Sequence, residues 1–332
     1  MGEVNATQSR SSIDRFSVIL VAVAAALWVS DAYFRNQLIK HLSPTQIVVA
    51  EDALIALFLL PVLYRSRHEI MGLGRRGWIA VGLIAVGAQS LATILFTASF
   101  SYHVFAETVV LQQTQPLIAI ALAWIVLGER RRPWFWPAAA VALVAVYMVV
   151  FARDPFAPVS ALQKGRFEAG LLALGAAVFW ASGTVLGRYA LGSISFWTMT
   201  ALRFTLALPV LVVIVLFQYG PSGFSHYQAS DWWPNLLLIA LVPGLLSLLI
   251  YYRGLSRTPA SLATIAELTY PVTLTLIATA PPPWGFNQQL YPAQVLGTVL
   301  LLAVIVFLNW SKEKAPPVVV PAGGRTSLSP SP

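Results

Sequence analysis

Residues 116–129 read Pro116-Leu117-Ile118-Ala119-Ile120-Ala121-Leu122-Ala123-Trp124-Ile125-Val126-Leu127-Gly128-Glu129. No charged side chain interrupts the run before Glu129, and the apolar stretch reaches back to about residue 104 with Glu107 near its start. A membrane-crossing helix needs ~20 predominantly apolar residues. The stretch has that length and lacks the short alternating pattern of a barrel strand. Comparable runs fall at about 16–35, 45–64, 78–98, 134–152, 168–188, 196–218, 233–252, 259–280 and 291–310. Ten such helices would use ~200 residues, and 58% of the 332 residues are hydrophobic. The spacing predicts an all-α membrane protein of ten transmembrane helices, the run 16–35 being a structural helix and not a signal peptide.

Composition points the same way. Only 10% of the residues are charged and the mean hydropathy is +0.73. An ordinary soluble domain carries about 45–50% apolar and ~25% charged residues. The surplus apolar surface must face lipid. That excludes a soluble enzyme, a nucleic-acid binder, a disulfide scaffold and a disordered chain. With no cysteine there is no disulfide, no thiolate nucleophile and no thiolate metal site.

The net charge of +8 reads as topology. Fifteen Lys and Arg fall on one side: Arg10 and Arg15, the loop from Arg65 to Arg76, Arg130 to Arg132, Arg188, Arg253, Arg257, and the C-terminal Lys312, Lys314 and Arg325. Five fall on the other, namely Arg35, Lys40, Arg153, Lys164 and Arg166, while Arg203 lies within a span. The positive-inside rule puts both termini of this multi-pass membrane protein in the cytoplasm.

The chain also repeats itself. Leu27-Trp28-Val29-Ser30 is echoed by Phe179-Trp180-Ala181-Ser182 at an offset of 152. Trp78 maps on Trp233, Pro116 on Pro271 and Pro137 on Pro292, each at an offset of 155. The expected organisation is a cytoplasmic tail (1–15), a first five-helix repeat (16–152), a linker (153–167), a second five-helix repeat (168–310) and a disordered tail (311–332). Five is odd, so the second repeat is inserted upside down. Inverted repeats place a substrate site near the bilayer midplane, between the halves.

The Pro116-to-Leu127-Gly128-Glu129 run resembles the signature of the EamA-type drug/metabolite transporter superfamily. Trp28-x-Ser30 and Trp180-x-Ser182 resemble that family's first-helix motif, and Arg203 matches its intramembrane arginine. The resemblance covers about 16–310 and implies a ten-helix exporter of small metabolites, with aromatic amino-acid exporters as the nearest kind. Two positions depart from the pattern. Glu51-Asp52 stands where the first half would carry the arginine, and Pro281-Pro282-Pro283 stands where Gly-Glu would recur.

Six ionisable residues fall within spans: Asp31, Glu51, Asp52, Glu107, Arg203 and Glu267. Each costs about 2.5–3.5 kcal/mol at mid-bilayer if it faces lipid. They must therefore face one another, a cavity or the interface. Asp31 and Arg35, four apart on one helix, are expected to pair. Glu107 is expected to cap its helix. Glu51 maps on Arg203 at the offset of 152, so the two are expected to form an ion pair, either a static bridge or a gate. Asp52 lies ~100° further round the helix, which leaves Glu51 as the inward-facing member.

Glu267 falls near mid-span, with Thr264 and Pro271 on the same helical face. Val109, Gln112 and Pro116 take the matching places in the first half. Pro116 and Pro271 are expected to kink their helices. Gln112 and Glu267 then line a common cavity, with Gln89, Gln113, Gln115, Tyr251 and Tyr270 nearby. Trp28 and Trp180, beside Ser30 and Ser182, offer aromatic walls or pack as filler. Glu267 either binds an amino group or carries coupling protons. Gly183 and Gly187 form a Gly-x-x-x-Gly suited to close helix packing.

No intramembrane His, Cys or Asp set is spaced for a metal, and no phosphate loop is present. Gly220-Pro221-Ser222-Gly223 has the look of a protease motif but lies in a loop without a buried His. The function expected is secondary transport of amino acids, including aromatic ones, by alternating access. Organic cations and drugs form the alternative cargo, and a channel the alternative mechanism. No enzyme activity and no cofactor are expected. The partners expected are a small-molecule substrate and the lipid bilayer, with no nucleic acid and the chain read as a monomer.

Overall fold

The computed structural model describes residues 4–99, 112, 114–152, 154–156, 167–227, 231–281, 289 and 291–310. Glu107, Gln113 and the segments 157–166 and 311–332 lie outside them. Among the described residues the chain is helical, with no strand. The first half contains α1 (Val4–Leu38), α2 (Pro44–Arg65), the short α3 (Arg67–Met71), α4 (Arg75–Leu83), α5 (Ala92–Ser99), α6 (Gln115–Leu127) and α7 (Phe135–Val150). The second contains α8 (Phe167–Ala190), α9 (Phe196–Tyr219), α10 (Trp233–Ile239), α11 (Ser247–Leu255), α12 (Ala260–Ala266), α13 (Thr269–Thr279) and α14 (Pro292–Trp310).

Seven helical stretches are long and apolar enough to cross a membrane: Phe16–Leu38, Pro44–Arg65, Arg75–Ser99, Gly170–Ala190, Phe196–Tyr219, Trp233–Leu255 and Ala260–Ile277. Three shorter apolar helices accompany them, Gln115–Leu127, Phe135–Val150 and Pro292–Leu308. Their outer faces carry large apolar side chains, with Phe217 92% and Val213 64% exposed. In water such surfaces would aggregate; in lipid they are at home.

Local chemistry sets the helix starts. Ser43 opens α2 with a capping box, its Oγ accepting from the Gln46 N–H while the Gln46 Oε1 accepts from the Ser43 N–H. Ser195 opens α9 with a simpler cap, its Oγ accepting from the Thr198 N–H while its own N–H goes to Glu69. The two caps share nearly one backbone geometry, φ −68° and ψ 158° against φ −69° and ψ 158°. A π-helical segment interrupts the third long span of each half, at Ile84–Leu91 and Ala240–Leu246. Such wide turns loosen the backbone ladder and recur at functional sites.

The packing is reciprocal. α1 of the first half lies on α11 of the second, and α8 of the second lies on α5 and the π segment of the first. α6 packs on α8 and α13 on α1, while α2 pairs with α9 and α7 with α14. Close approach along α8 relies on its glycines, as its Gly-x-x-x-Gly predicted. A Cβ at Gly183 would sit 2.5 Å from the Ala88 Cβ, and one at Gly187 would meet the Tyr252 ring at 3.0 Å.

Contacts sort the connections into two ends. At one end Glu69 meets Ser195 and Thr198, Arg188 donates to the Ser256 carbonyl, and Glu129 meets Ser261. At the other, Thr45 meets Gln218, and Gln46 meets the Gly223 carbonyl and the Tyr227 hydroxyl.

Candidate functional site

Between the halves lies a cavity of about 170 Å³. That is room for on the order of ten waters, enough for a small organic solute. The residues singled out as substrate-binding in the sequence meet there: Trp28 from α1, Gln89 from the first π segment, Gln112, Trp180 from α8, Tyr251 from α11, Glu267 and Tyr270. Glu51, Arg203 and Pro116 line it as well. Pro271 and Thr264 do not; both are buried in the protein beside it.

The prolines act differently from the expected kink. The span from Ala260 breaks at Glu267 and Leu268, and Pro271 falls in the first turn of α13. Pro116 is likewise at the start of α6. A first-turn residue needs no intrahelical N–H partner, so proline is tolerated there without a kink. The consequence for Glu267 is a place between two helices, facing the opening, and not on the flank of one.

Each carboxylate oxygen of Glu267 takes one neutral donor. The Tyr251 hydroxyl donates to Oε1 at 2.8 Å and the Gln115 Nε2 to Oε2 at 2.8 Å. The first donor belongs to the second half and the other to the first. Because the Tyr251 proton is committed to Glu267, the Thr184 hydroxyl, 2.9 Å away, donates to Tyr251. Across the opening, the Gln112 Oε1 is buried without a hydrogen-bond partner.

The aromatic walls are two ring pairs. Trp28 and Tyr251 lie with centroids 5.2 Å apart, Phe96 and Trp180 with centroids 5.0 Å apart in an edge-on arrangement. The serines beside the tryptophans take no part. The Ser30 Oγ donates to the Leu27 carbonyl and the Ser182 Oγ to the Val178 carbonyl, as hydroxyls in membrane helices satisfy themselves locally.

The direct Glu51–Arg203 pair does not form. Glu51 is held by Arg35, 3.0 Å from Nη2 to Oε2, and the same guanidinium grips both Asp31 oxygens and the Thr97 hydroxyl. The expected Asp31–Arg35 pair is present as the core of this larger cluster. Arg203 turns to Gln89 (Nε to Oε1, 2.6 Å), the Tyr252 hydroxyl (2.8 Å) and the Ala88 carbonyl (3.3 Å). Gln89 then passes its Nε2 to Asp52 at 2.8 Å. An amide therefore stands between the base of α9 and the acid of α2, and the acid is Asp52. Glu51 faces the cavity, as the helical phase predicted, and Asp52 is fully buried behind Gln89.

Three features escaped sequence reasoning. The reach of Arg35 to the next helix was hidden because it reads as a span-end residue. Thr184 and Tyr252 carry no motif. Glu129 was visible only as part of a signature; in the structure it is buried and bonded to the start of α12. Among the described residues no cluster of His, Asp or Glu could hold a metal.

The EamA-like transporter family matches twice along the chain, over residues 15–151 and 168–310. The chain belongs to the EamA-like transporter family. Its relatives are named as transporters. It is similar to the "Riboflavin transporter ImpX" of Fusobacterium nucleatum subsp. nucleatum (strain ATCC 23726 / VPI 4351), 28% identical over 304 residues, covering 88% of this chain and 96% of that one. It is also similar to the "Uncharacterized transporter YwfM" of Bacillus subtilis (strain 168), 24% identical over 239 residues, covering 71% and 75%. A solved crystal structure shares the fold with a TM-score of 0.68 at 17% identity, covering 90% of this chain and 99% of that one. This EamA-like protein is thus a multi-pass membrane transporter of a small molecule, and family and relatives alike point away from an enzyme.

Proposed function

We propose that this EamA-like protein is a secondary transporter that exports small metabolites, amino acids with the aromatic ones among them, by alternating access. The observation that carries the reading is the cavity itself. Both halves line it, two aromatic pairs wall it, and Glu267 and Gln112 offer acceptors to an amino group. Ten spans with both termini in the cytoplasm of a bacterial cell complete the reading. Seven long and three shorter apolar helices support the count, and the sorting of basic residues supports the orientation. The reciprocal packing supports an inverted repeat and the rocking of one half against the other.

A second reading has two observations in its favour. Two ring pairs along the cavity suit a flat, uncharged heterocycle, and one relative is named for riboflavin. The deciding experiment is counterflow in proteoliposomes with a radiolabelled panel of aromatic amino acids, organic cations and riboflavin. Saturable exchange of an amino acid supports the first reading, and exchange of riboflavin alone supports the second. Flux that never saturates indicates a channel. Single cysteines in this Cys-free chain test the orientation. An impermeant reagent should label Ser160→Cys and Ser225→Cys from outside, and not Ile70→Cys or Ala315→Cys.

A further inference from the structure

The cavity's charges do not balance, and the imbalance has one accessible address. Among the described residues, four carboxylates, Asp31, Glu51, Asp52 and Glu267, surround two guanidiniums, Arg35 and Arg203. Arg35 is spent on Asp31 and Glu51. Arg203 is spent on three neutral acceptors, and through Gln89 it is joined to Asp52. Among the described residues Glu267 meets neutral groups and no cation: Tyr251 and Gln115 donate to it, with the Thr184 hydroxyl close by. A carboxylate held from water without a cation is costly, and Asp52 cannot share the deficit with a visitor because it is wholly buried. Glu267 and Gln112 both line the cavity, the Gln112 Oε1 is buried there without a hydrogen-bond partner, and the Trp28 and Tyr251 rings beside them favour a cation over their faces.

We propose that Glu267, with Gln112 as its second acceptor, takes up one mobile positive charge in each transport cycle, carried either by an ammonium group on the cargo or by a proton. The inference rests on the transporter reading; its ammonium arm rests also on an aromatic amine being a cargo, and its proton arm on no particular cargo. Among the described residues the other charged or titratable groups on the cavity are Asp31, Glu51, Arg203, Tyr251 and Tyr270. Asp31 and Glu51 already hold Arg35, and Arg203 repels a cation, so the visitor is directed to Glu267. Tyr251, fixed by Thr184, presents its proton to Glu267 and so leaves that carboxylate's outer lone pairs for the visitor.

The test uses the full-length protein with Glu267→Gln, Glu267→Asp and, as a control outside the cavity, Glu69→Gln. Two readouts separate the two sources. In the first, tryptophan fluorescence follows binding of L-tryptophan, tryptamine and N-acetyl-L-tryptophan to purified protein. An ammonium source predicts at least tenfold weaker binding of the acetylated probe, with the difference abolished in Glu267→Gln and kept in Glu267→Asp. In the second, infrared difference spectra between acid and alkaline pH follow protonated carboxyls. A proton source predicts a carbonyl band that vanishes in Glu267→Gln, is shifted in Glu267→Asp and is untouched in Glu69→Gln. The infrared readout needs no cargo, so it stands even if no probe is transported. If Glu267→Gln, folded by gel filtration, keeps both the band and the wild-type preference for amines, or if the wild type shows neither, the proposal is wrong.

Discussion

Glu129 reaches across the halves to Ser261. Its Oε1 accepts the Ala260 N–H at 2.8 Å, and its Oε2 accepts the Ser261 N–H at 3.2 Å and the Ser261 hydroxyl at 2.6 Å. Gly128 makes this possible, because its left-handed φ of 66° turns the chain back as α6 ends. Arg131 closes the cluster, with Nη2 3.1 Å from Glu129 and Nε 2.6 Å from the Ser261 hydroxyl. The result is a helix cap supplied in trans, on the element whose far end holds Glu267. Removing Glu129 deletes that cap, worth about 0.5–2 kcal/mol, and takes one carboxylate partner from the Arg131 guanidinium. Glu129→Ala should lower the detergent-solubilised melting temperature more than Ser261→Ala does. The double variant should be less damaged than the two single losses summed. Additive losses would show that the two residues do not act together.

Arg35→Met should destabilise by about 3–5 kcal/mol, because Asp31 and Glu51 lose their shared cation. Adding Asp31→Asn and Glu51→Gln should recover most of that loss. Thermal unfolding followed by circular dichroism reads both effects, and a triple variant no better than Arg35→Met would contradict the cluster's accounting.

Tyr251→Phe should weaken cargo binding while leaving expression near normal. The change removes one neutral donor from Glu267 and the hydroxyl that Thr184 meets. A bond within the site acts on the cargo only by orienting the carboxylate, so the loss in affinity is smaller than that of the bond itself, about 1.5–3 kcal/mol. Gln112→Ala should also alter affinity through the loss of the unfilled acceptor. Counterflow kinetics unchanged in both variants would remove these residues from the site.

Glu69 supplies a pH signature outside the membrane. Partial burial draws its carboxyl upward, but hydrogen bonds from the Thr198 hydroxyl and from Ser195 outweigh that and hold it below the usual range. A carboxyl lowered in the folded state contributes stability above the unfolded value of about 4.3 and loses it as pH falls through the folded value. Glu69→Gln should therefore narrow the gap to wild type on the acid limb, below about pH 4.3, and leave a constant offset at neutral pH. Melting temperatures measured across that range decide it; parallel curves would contradict the shift.

Gly183→Ala should cost about 1–3 kcal/mol by overpacking, since its Cβ would collide with Ala88. Gly82→Ala meets nothing within 4 Å and should be neutral or mildly stabilising by about 0.5–1 kcal/mol. Equal melting temperatures for the two variants would remove the close crossing from the account.

Much of this was legible in the chain. Apolar run length gave the helices, and a spacing of four gave the Asp31–Arg35 pair. Matching positions in the two halves brought Trp28 and Trp180, and Gln112 and Glu267, to one place. The reading failed where geometry depends on what stands between two residues. Glu51 and Arg203 share a depth, yet Gln89 intervenes and Arg35 competes for Glu51. Pro116 and Pro271 read as mid-helix residues because apolar composition does not reveal a helix restarting. The π segment at Ile84–Leu91 contains no proline and nothing else in its residues that announces an extra residue per turn.

The two guanidiniums differ in when their partners exist. Arg35 finds Asp31 on its own helix and Glu51 sixteen residues later, so two inserted helices are enough to neutralise it. Arg203 draws on Gln89, 114 residues earlier, and on Tyr252, 49 residues later. During synthesis the first half can wait in the bilayer with its ion cluster closed. The second half carries an unfinished arginine, at about 2.5–3.5 kcal/mol if exposed to lipid, until the strand of chain bearing Tyr252 has been inserted. Biogenesis is thereby given an order: the early half is the template, and the late half is driven onto it by a charge that has nowhere else to go.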